Sequence, residues 1–374
     1  MAKCVVTGGA GFIGSHMVDL LLADGHEVVV IDNFAAGRPA NLDHHKGSPS
    51  LRVVDADVCD VAAVRPEFEG TRWVFHFAAL GDIVPSIERP RDYVRANVSG
   101  TLGALEAARA ARVERFVYSA SSSCYGIPDV YPTPETAPIR TEYPYALSKH
   151  FGEQMALHWA KVYRVPVVSL RYFNVYGPRA RTSGAYGAVF GVFLAQKLRG
   201  HPLTVVGDGT QTRDFVFVTD VARANMLAAT TGHVGEVFNI GARTPQSVNR
   251  LVELIGGDVV HIPKRPGEPD CTHADITKAR TLLGWTPSVS FEAGVARMLD
   301  TLDYWRAAPL WTVDRIGEAT RDWFKYLGNA PVSGEVAVRS QAASLSGHPW
   351  ECEAAGRSTA EASLSESEPG SRAR

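Results

Sequence analysis

A glycine-rich turn near the start of the chain constrains the fold more than any other feature. The apolar run Cys4 to Thr7 leads into Gly8-Gly9-Ala10-Gly11-Phe12-Ile13-Gly14, and a helical stretch from Ile13 to Ala23 follows. Strand, glycine turn and helix in direct succession make a cradle for a pyrophosphate. Gly8 permits the tight turn, Gly11 lets backbone approach the phosphates, and Gly14 allows close helix packing. The helix N-terminus adds free N–H groups. Asp32 ends the next apolar run, Val28 to Asp32, eighteen residues after Gly14. A carboxylate there accepts hydrogen bonds from both hydroxyls of an adenosine ribose and repels a 2′-phosphate, which predicts NAD rather than NADP.

The alternation continues beyond this unit. Apolar runs at Leu51 to Asp57, Trp73 to Ala78, Arg115 to Ser119 and Val167 to Tyr172 are interleaved with helical stretches at Tyr93 to Ala111 and Tyr145 to Tyr163. Continuous apolar strands separated by helices predict an α/β fold, a Rossmann-type doubly wound parallel sheet with ligands at the carboxyl ends of its strands. After Asn174, Gly, Pro and Arg punctuate shorter elements, among them Ser247 to Leu254, Ile276 to Leu283 and Asp314 to Tyr326. These read as a smaller α/β substrate-binding lobe. The expected organisation is a cofactor domain over 1–174, a substrate lobe over 175–328 with the chain crossing between them, and a disordered tail over 329–374. Bulky apolar residues are sparse in that tail, where Trp350 and Cys352 stand out.

Composition excludes several classes of function. A net charge of -2 with 21% charged residues argues against a basic nucleic-acid-binding surface or a polybasic membrane anchor. No apolar run approaches the ~20 residues needed to span a bilayer. The first residues run straight into a strand without a targeting segment, so the expected location is cytoplasmic. Five scattered cysteines without a Cys-x-x-Cys pair predict neither a disulfide scaffold nor a structural zinc site. His44-His45 lies in a polar stretch with Gly and Pro and reads as a solvated loop rather than a metal site.

Tyr145-Ala146-Leu147-Ser148-Lys149 opens a helical stretch, and four-residue spacing puts Tyr145 and Lys149 on one face. An ammonium beside a phenol favours the phenolate and lowers its pKa toward the range of a general base. The same spacing also describes a packed aromatic beside a solvated lysine.

Taken together, these markers resemble the extended short-chain dehydrogenase/reductase family, and within it the nucleotide-sugar epimerases and dehydratases. The resemblance runs from about Lys3 to Gly328. It rests on the Thr7 to Gly14 turn, Asp32-Asn33, Asp57-Val58, His76 to Ala79, Asn97, Ser119-Ala120-Ser121, Tyr145 with Lys149, Arg171 to Asn174, Arg213-Asp214 and Arg265-Pro266-Gly267-Glu268, in that order. It implies NAD as cofactor, with Phe12, Ile13, Asn33, Phe34, Gly37, Asn97 and Ser119 among its contacts. Asp57 and Val58 would meet the adenine, and Phe77, Ala78, Ala79 and Leu80 the phosphates and ribose. Lys149 would bind the nicotinamide ribose, with Tyr172 and Phe173 near the nicotinamide. Asn174 would lie near a sugar diphosphate, Arg213 and Arg265 would clamp it, and Glu268 would take the nucleotide ribose. Guanidinium forks match phosphate oxygens in pairs, so the arginine assignment has a physical basis.

The resemblance also implies the first chemical step. Tyr145 takes the proton of a sugar hydroxyl, usually at C4, hydride passes to NAD, and Ser121 hydrogen-bonds the reacting oxygen. The related 4,6-dehydratases place an acidic pair directly after that serine, and the decarboxylating relatives carry Glu at the place of Ser123. Here Ser122 and Ser123 cannot serve as acid or base in the working range. Return of the hydride to the other face, a 4-epimerisation, is then the expected outcome unless a distant carboxylate such as Glu135 folds into the site.

The sugar stays open. Ser122 and Ser123 suit a hexose hydroxyl, an N-acetyl group or a uronic carboxylate, Arg181 could approach an acid, and Thr272 stands where family resemblance places a residue whose bulk affects acceptance of N-acetylated sugars. UDP is the preferred nucleotide. A net oxidoreductase and a catalytically silent NAD-sensing regulator are the competing readings. The stretches Tyr93 to Ala111 and Tyr145 to Tyr163 also resemble the helices through which this family forms homodimers. Their apolar residues Val94, Val98, Leu102, Leu105, Phe151, Met155 and Trp159 exceed a sheet-facing stripe.

Overall fold

Six of the apolar runs become strands of one parallel sheet in the computed structural model, which describes residues 1–181 and 188–328. In chain order the strands are β1 (Lys3–Thr7), β2 (Glu27–Asp32), β3 (Leu51–Asp55), β4 (Trp73–His76), β5 (Arg115–Ser121), β6 (Val167–Tyr172) and β7 (Glu236–Ile240). They lie in the spatial order β7-β6-β5-β4-β1-β2-β3. The winding reverses between β1 and β4, which opens a crevice at their carboxyl ends, where such sheets bind ligands. β7 was not among the expected strands, because Asn239 interrupts its apolar character; that side chain is fully buried and binds Tyr125 and Thr133.

Both faces of the sheet are covered, as its runs of valine require. Helix α1 (Phe12–Ala23) packs Met17, Val18 and Leu21 on one face. Helices α2 (Gly100–Ala111) and α3 (Pro144–Tyr163) cover the other with Ala104, Leu105, Ala108 and Ala156. The stretch Tyr93 to Ala111 is not one helix. A helix over Pro90–Val94 passes through a π-helical turn at Arg95–Ser99 before α2 begins, and such turns often mark functional positions. Leu105 belongs to the core and not to an outer face, while Val94, Leu102 and Phe151 are exposed.

Part of the chain beyond the sixth strand builds a second apolar core. Tyr176 stacks on Phe190 at 4.6 Å and Phe215 on Phe291 at 5.2 Å, with Phe193 and Trp305 buried beside them. Short strands Asn174–Tyr176 and Phe215–Phe217 pair in parallel and place Asn174 at the crevice. Helix α4 (Val313–Leu327) closes this part and buries Ile316, Thr320 and Trp323.

The expected tail over 329–374 lies outside the described residues. Among those described, no helix is long and apolar enough to cross a membrane. His44 and His45 are not in an irregular loop. They end a 3-10 helix over Pro39–His45, and both rings bond Asp19 of α1.

Candidate active site

The glycine turn has the tight geometry its sequence suggested. Gly8 has φ +68°, and a Cβ there would stand 2.7 Å from the Ala78 nitrogen, so the turn closes against the chain leaving β4. A Cβ on Gly14 would lie 2.3 Å from the Gly8 carbonyl oxygen. Gly11 is the N-cap of α1 and offers no side-chain cap, leaving the first N–H groups of the helix for a ligand, with Phe12 and Ile13 opening the first turn. The turn leaves no room for a side chain at Gly8 or Gly14, and with the free N–H groups of α1 at its mouth it fits a dinucleotide pyrophosphate.

Asp32 closes the next strand end. Its Oδ2 accepts from the Ala10 amide at 3.0 Å and its Oδ1 from the Phe34 amide at 2.8 Å. Burial pushes its pKa up, and these two amides oppose the rise. The chain folds back over the carboxylate at Gly37, where a Cβ would fall 2.6 Å from Oδ2, and Asn33 caps the Ala35 amide. Farther along the sheet edge, Asp57 accepts from the Cys59 amide and pairs with Arg95, while Val58 is buried beneath Gly100 and Gly103 of α2.

A hydrogen-bonded relay joins the glycine turn to the helix that carries Tyr145. His76 is fully buried, and burial together with the charge of Lys149 pushes its pKa down to about 3, so it is neutral. Thr101 donates to the Asn97 carbonyl oxygen at 2.7 Å and therefore accepts from His76 Nε2 at 3.1 Å. Nδ1 of His76 then accepts from Thr7 at 2.7 Å. Asn97, in the π-helical turn, accepts from the Leu80 amide at 2.8 Å and donates to the Leu80 carbonyl and to Ser148. Ser148 in turn donates to the Tyr145 carbonyl oxygen at 2.8 Å. The segment Phe77 to Leu80 is thus pinned between the cofactor turn and the catalytic helix. Sequence reading placed His76 and Asn97 as markers but did not see that Ser148, inside the Tyr-x-x-x-Lys stretch, completes the connection.

Tyr145 and Ser121 meet at the carboxyl end of β5. Ser121 caps a short 3-10 helix by accepting from the Ser123 amide, and its hydroxyl lies 2.8 Å from that of Ser123. Burial pushes the Tyr145 phenol up, and the hydrogen bond with Ser121 opposes this. The expected lowering by Lys149 is absent from this arrangement. The Lys149 ammonium sits 4.6 Å from the ring centroid of Tyr118, and burial pushes its pKa down to about 7 against the pull of Glu153. Tyr145 packs between Tyr143, parallel to it at 6.3 Å, and Tyr93.

These side chains face a cavity of about 440 Å³ lined by Ser121, Ser122, Ser123, Tyr145, Tyr172, Phe173 and Asn174 on one side and by Arg213, Arg265, Glu268 and Thr272 on the other. Tyr172 is held from behind by Asn225, to which it donates at 2.8 Å, and by Ser119. Thr272 donates to Asn174 at 2.7 Å and accepts from the Asp214 amide, fixing that wall. Glu268 binds Arg213 at 2.8 Å and faces Arg265 at 3.7 Å. Its Oε2 is buried without a hydrogen bond. The sequence did not single out Trp323 of α4, which lines the same cavity, donates to the Pro266 carbonyl and carries the Arg265 guanidinium on its ring.

Three carboxylates also line the cavity, Asp82, Glu142 and Glu268. Asp82 pairs with Arg181, so that guanidinium is committed to a protein carboxylate at the rim. Glu142 is exposed. Glu135 does not fold in, because its side chain accepts from the Asn239 amide on β7.

The family model described as the NAD dependent epimerase/dehydratase family matches residues 4–241. UDP-glucose 4-epimerase of Mycolicibacterium smegmatis is 37% identical over 312 residues, covering 80% of this chain and 97% of that protein. UDP-glucuronic acid decarboxylase 2 of Arabidopsis thaliana is 37% identical over 308 residues, covering 79% of this chain and 67% of that protein. Among solved structures, UDP-glucuronic acid 4-epimerase from Bacillus cereus in complex with UDP-glucuronic acid and NAD matches with a TM-score of 0.74 at 32% identity, over 81% of this chain and 99% of that one.

Proposed function

The chain belongs to the NAD dependent epimerase/dehydratase family, and from that premise we propose that it interconverts a UDP-sugar and its C4 epimer while retaining NAD. One observation carries the choice of reaction. The two positions that follow Ser121 into the cavity are Ser122 and Ser123, and neither can supply the acid or base that elimination or decarboxylation requires.

NAD, when bound, supplies a hydride acceptor that becomes the donor in the return step. Gly8, Gly11 and Gly14 would hold its pyrophosphate, Asp32 its adenosine ribose and Lys149 its nicotinamide ribose. The phenolate of Tyr145 takes the proton of the C4 hydroxyl at Oη. Lys149, one helical turn away, stabilises that phenolate when its ammonium turns from Tyr118 to the phenol. Ser121 donates to the sugar oxygen as it becomes a carbonyl, and Tyr145 returns the proton after the sugar has turned over. Arg213 and Arg265 hold the diphosphate during that rotation, and Glu268 Oε2 accepts from a ribose hydroxyl of the nucleotide.

The exposed side chains of Val94, Leu102, Leu147 and Phe151 on neighbouring helices support a homodimer formed through this face. Light scattering at micromolar concentration should give twice the chain mass; a monomer would exclude the dimer. The reaction is tested by incubating the purified protein with UDP-glucose, UDP-N-acetylglucosamine and UDP-glucuronic acid without added cofactor. The expected product has unchanged mass, inverted C4 and no accompanying NADH. A product lighter by water or carbon dioxide would reject the proposal.

A further inference from the structure

His44 and His45 take no part in the site described above, yet their two rings converge on one oxygen of a third residue. His44 Nε2 and His45 Nε2 each lie 2.8 Å from Asp19 Oδ1. The three donor atoms fall within 4.8 Å of one another. Two imidazoles and a carboxylate are a donor set for zinc and its first-row neighbours, with bonds of about 2.0–2.2 Å and tetrahedral ligand atoms roughly 3.3 Å apart. We propose that Asp19, His44 and His45 form a binding site for a divalent transition-metal ion of the zinc class, in which Nε2 of each histidine and Oδ1 of Asp19 are the protein ligands.

The surroundings favour coordination through those atoms. Arg179 grips Asp19 chiefly through Oδ2, with a longer contact of 3.4 Å to Oδ1, and also donates to His16 Nδ1 at 2.7 Å and to the Asn41 carbonyl at 3.0 Å. Oδ1 is thereby aimed at the two rings, the kind of support that ligating carboxylates usually receive. His16 itself is occupied on both nitrogens, by Arg179 and by the Pro178 carbonyl, so it is not a fourth ligand. His44 is half exposed. None of the three ligands lines the 440 Å³ cavity, so the ion is not catalytic. It cross-links α1 to the 3-10 helix over Pro39–His45, which is tied to the glycine turn by hydrogen bonds from Arg38 and Asn41 to the Ala10 carbonyl. The ion would stiffen the adenosine side of the cofactor groove from outside.

The test uses the full chain without an affinity tag, stripped with EDTA and dialysed into metal-free buffer. Calorimetric titration with zinc chloride should show one ion per chain and a higher melting temperature on saturation. Cobalt(II) should give visible d–d absorption that zinc displaces. His44→Gln/His45→Gln keeps side-chain donors for Asp19, so its circular dichroism should be unchanged. Its zinc affinity should fall by about tenfold or more, as expected when ligation is lost. Binding of less than one ion per chain, or equal affinity in the folded double variant, would overturn the proposal; the latter would place any ion elsewhere, for instance on cysteine.

Discussion

Replacing Lys149 by Met should make the fold more stable at neutral pH while abolishing turnover. The side chain is buried at 5% exposure, and burial lowers its pKa from 10.5 to about 7 against the pull of Glu153. Below pH 7 the folded and unfolded chains both carry the proton, and the folded chain bears the whole cost of a buried ammonium. Between pH 7 and 10.5 the unfolded chain keeps a proton that the folded chain has lost, so stability rises with pH, by at most about 1.4 kcal/mol per pH unit. Above 10.5 neither state is charged and the cost is gone. Integrated over that window the penalty is roughly 5 kcal/mol. That figure is already net of the contact between the ammonium and the Tyr118 ring at 4.6 Å, so a gain of at most roughly 5 kcal/mol at pH 7 is expected. Urea denaturation of nucleotide-free wild type and variant at pH 7, 8, 9 and 10 measures it. Groups that titrate alike in both proteins cancel, so the difference should shrink as pH rises. A variant less stable than wild type at pH 7, or a difference that ignores pH, would refute the buried-ammonium account.

Tyr145→Phe should lose turnover but keep its NAD, because the ring packing against Tyr143 and Tyr93 is preserved; Ser121→Ala should be milder, and kinetics with measured cofactor content separates the two. Gly14→Val should lose cofactor, since even a Cβ there meets the Gly8 carbonyl at 2.3 Å, and absorbance of the nucleotide released on denaturation reports it. Glu153→Leu leaves Arg171 buried without its carboxylate and should cost about 3–5 kcal/mol in chemical denaturation. Glu142→Gln should leave epimerisation nearly unchanged, because that carboxylate sits exposed at the rim; a collapse in kcat without a change in KM would make it an acid or base of the reaction.

What the sequence disclosed was local. The turn from Thr7 to Gly14 and the pairing of Tyr145 with Lys149 each lie within one element or one junction, where spacing alone decides which groups are neighbours. Charge partners were not legible, because they come from distant segments. Arg181 meets Asp82 across 99 residues, Glu135 meets Asn239 across 104 and Arg213 meets Glu268 across 55. Leu105 counts among the apolar residues in excess of one stripe, yet it faces the core while Leu102, three residues earlier on the same helix, is exposed, a distinction residue type alone does not make. The direction of the Tyr145 shift was missed because four-residue spacing fixes neighbourhood but not burial, and burial dominates for both members of the pair.

Burial of Tyr145 and Lys149 and the pairing of two of the three cavity carboxylates act toward the same end, the third, Glu142, being exposed to solvent. A 4-keto sugar is prone to elimination wherever a base can reach the carbon next to the carbonyl. Asp82 is held by Arg181, and Glu268 is held by Arg213 beside Arg265. A carboxylate in an ion pair is a poor base, because accepting a proton would leave its arginine uncompensated. Ser122 and Ser123 offer hydroxyls that orient the sugar without titrating. Among the described residues the group best placed to move a proton at the reacting oxygen is then Tyr145, whose hydroxyl bonds Ser121. The same phenol that accepts the proton must give it back, and a site with that restriction returns its intermediate to the sugar instead of diverting it.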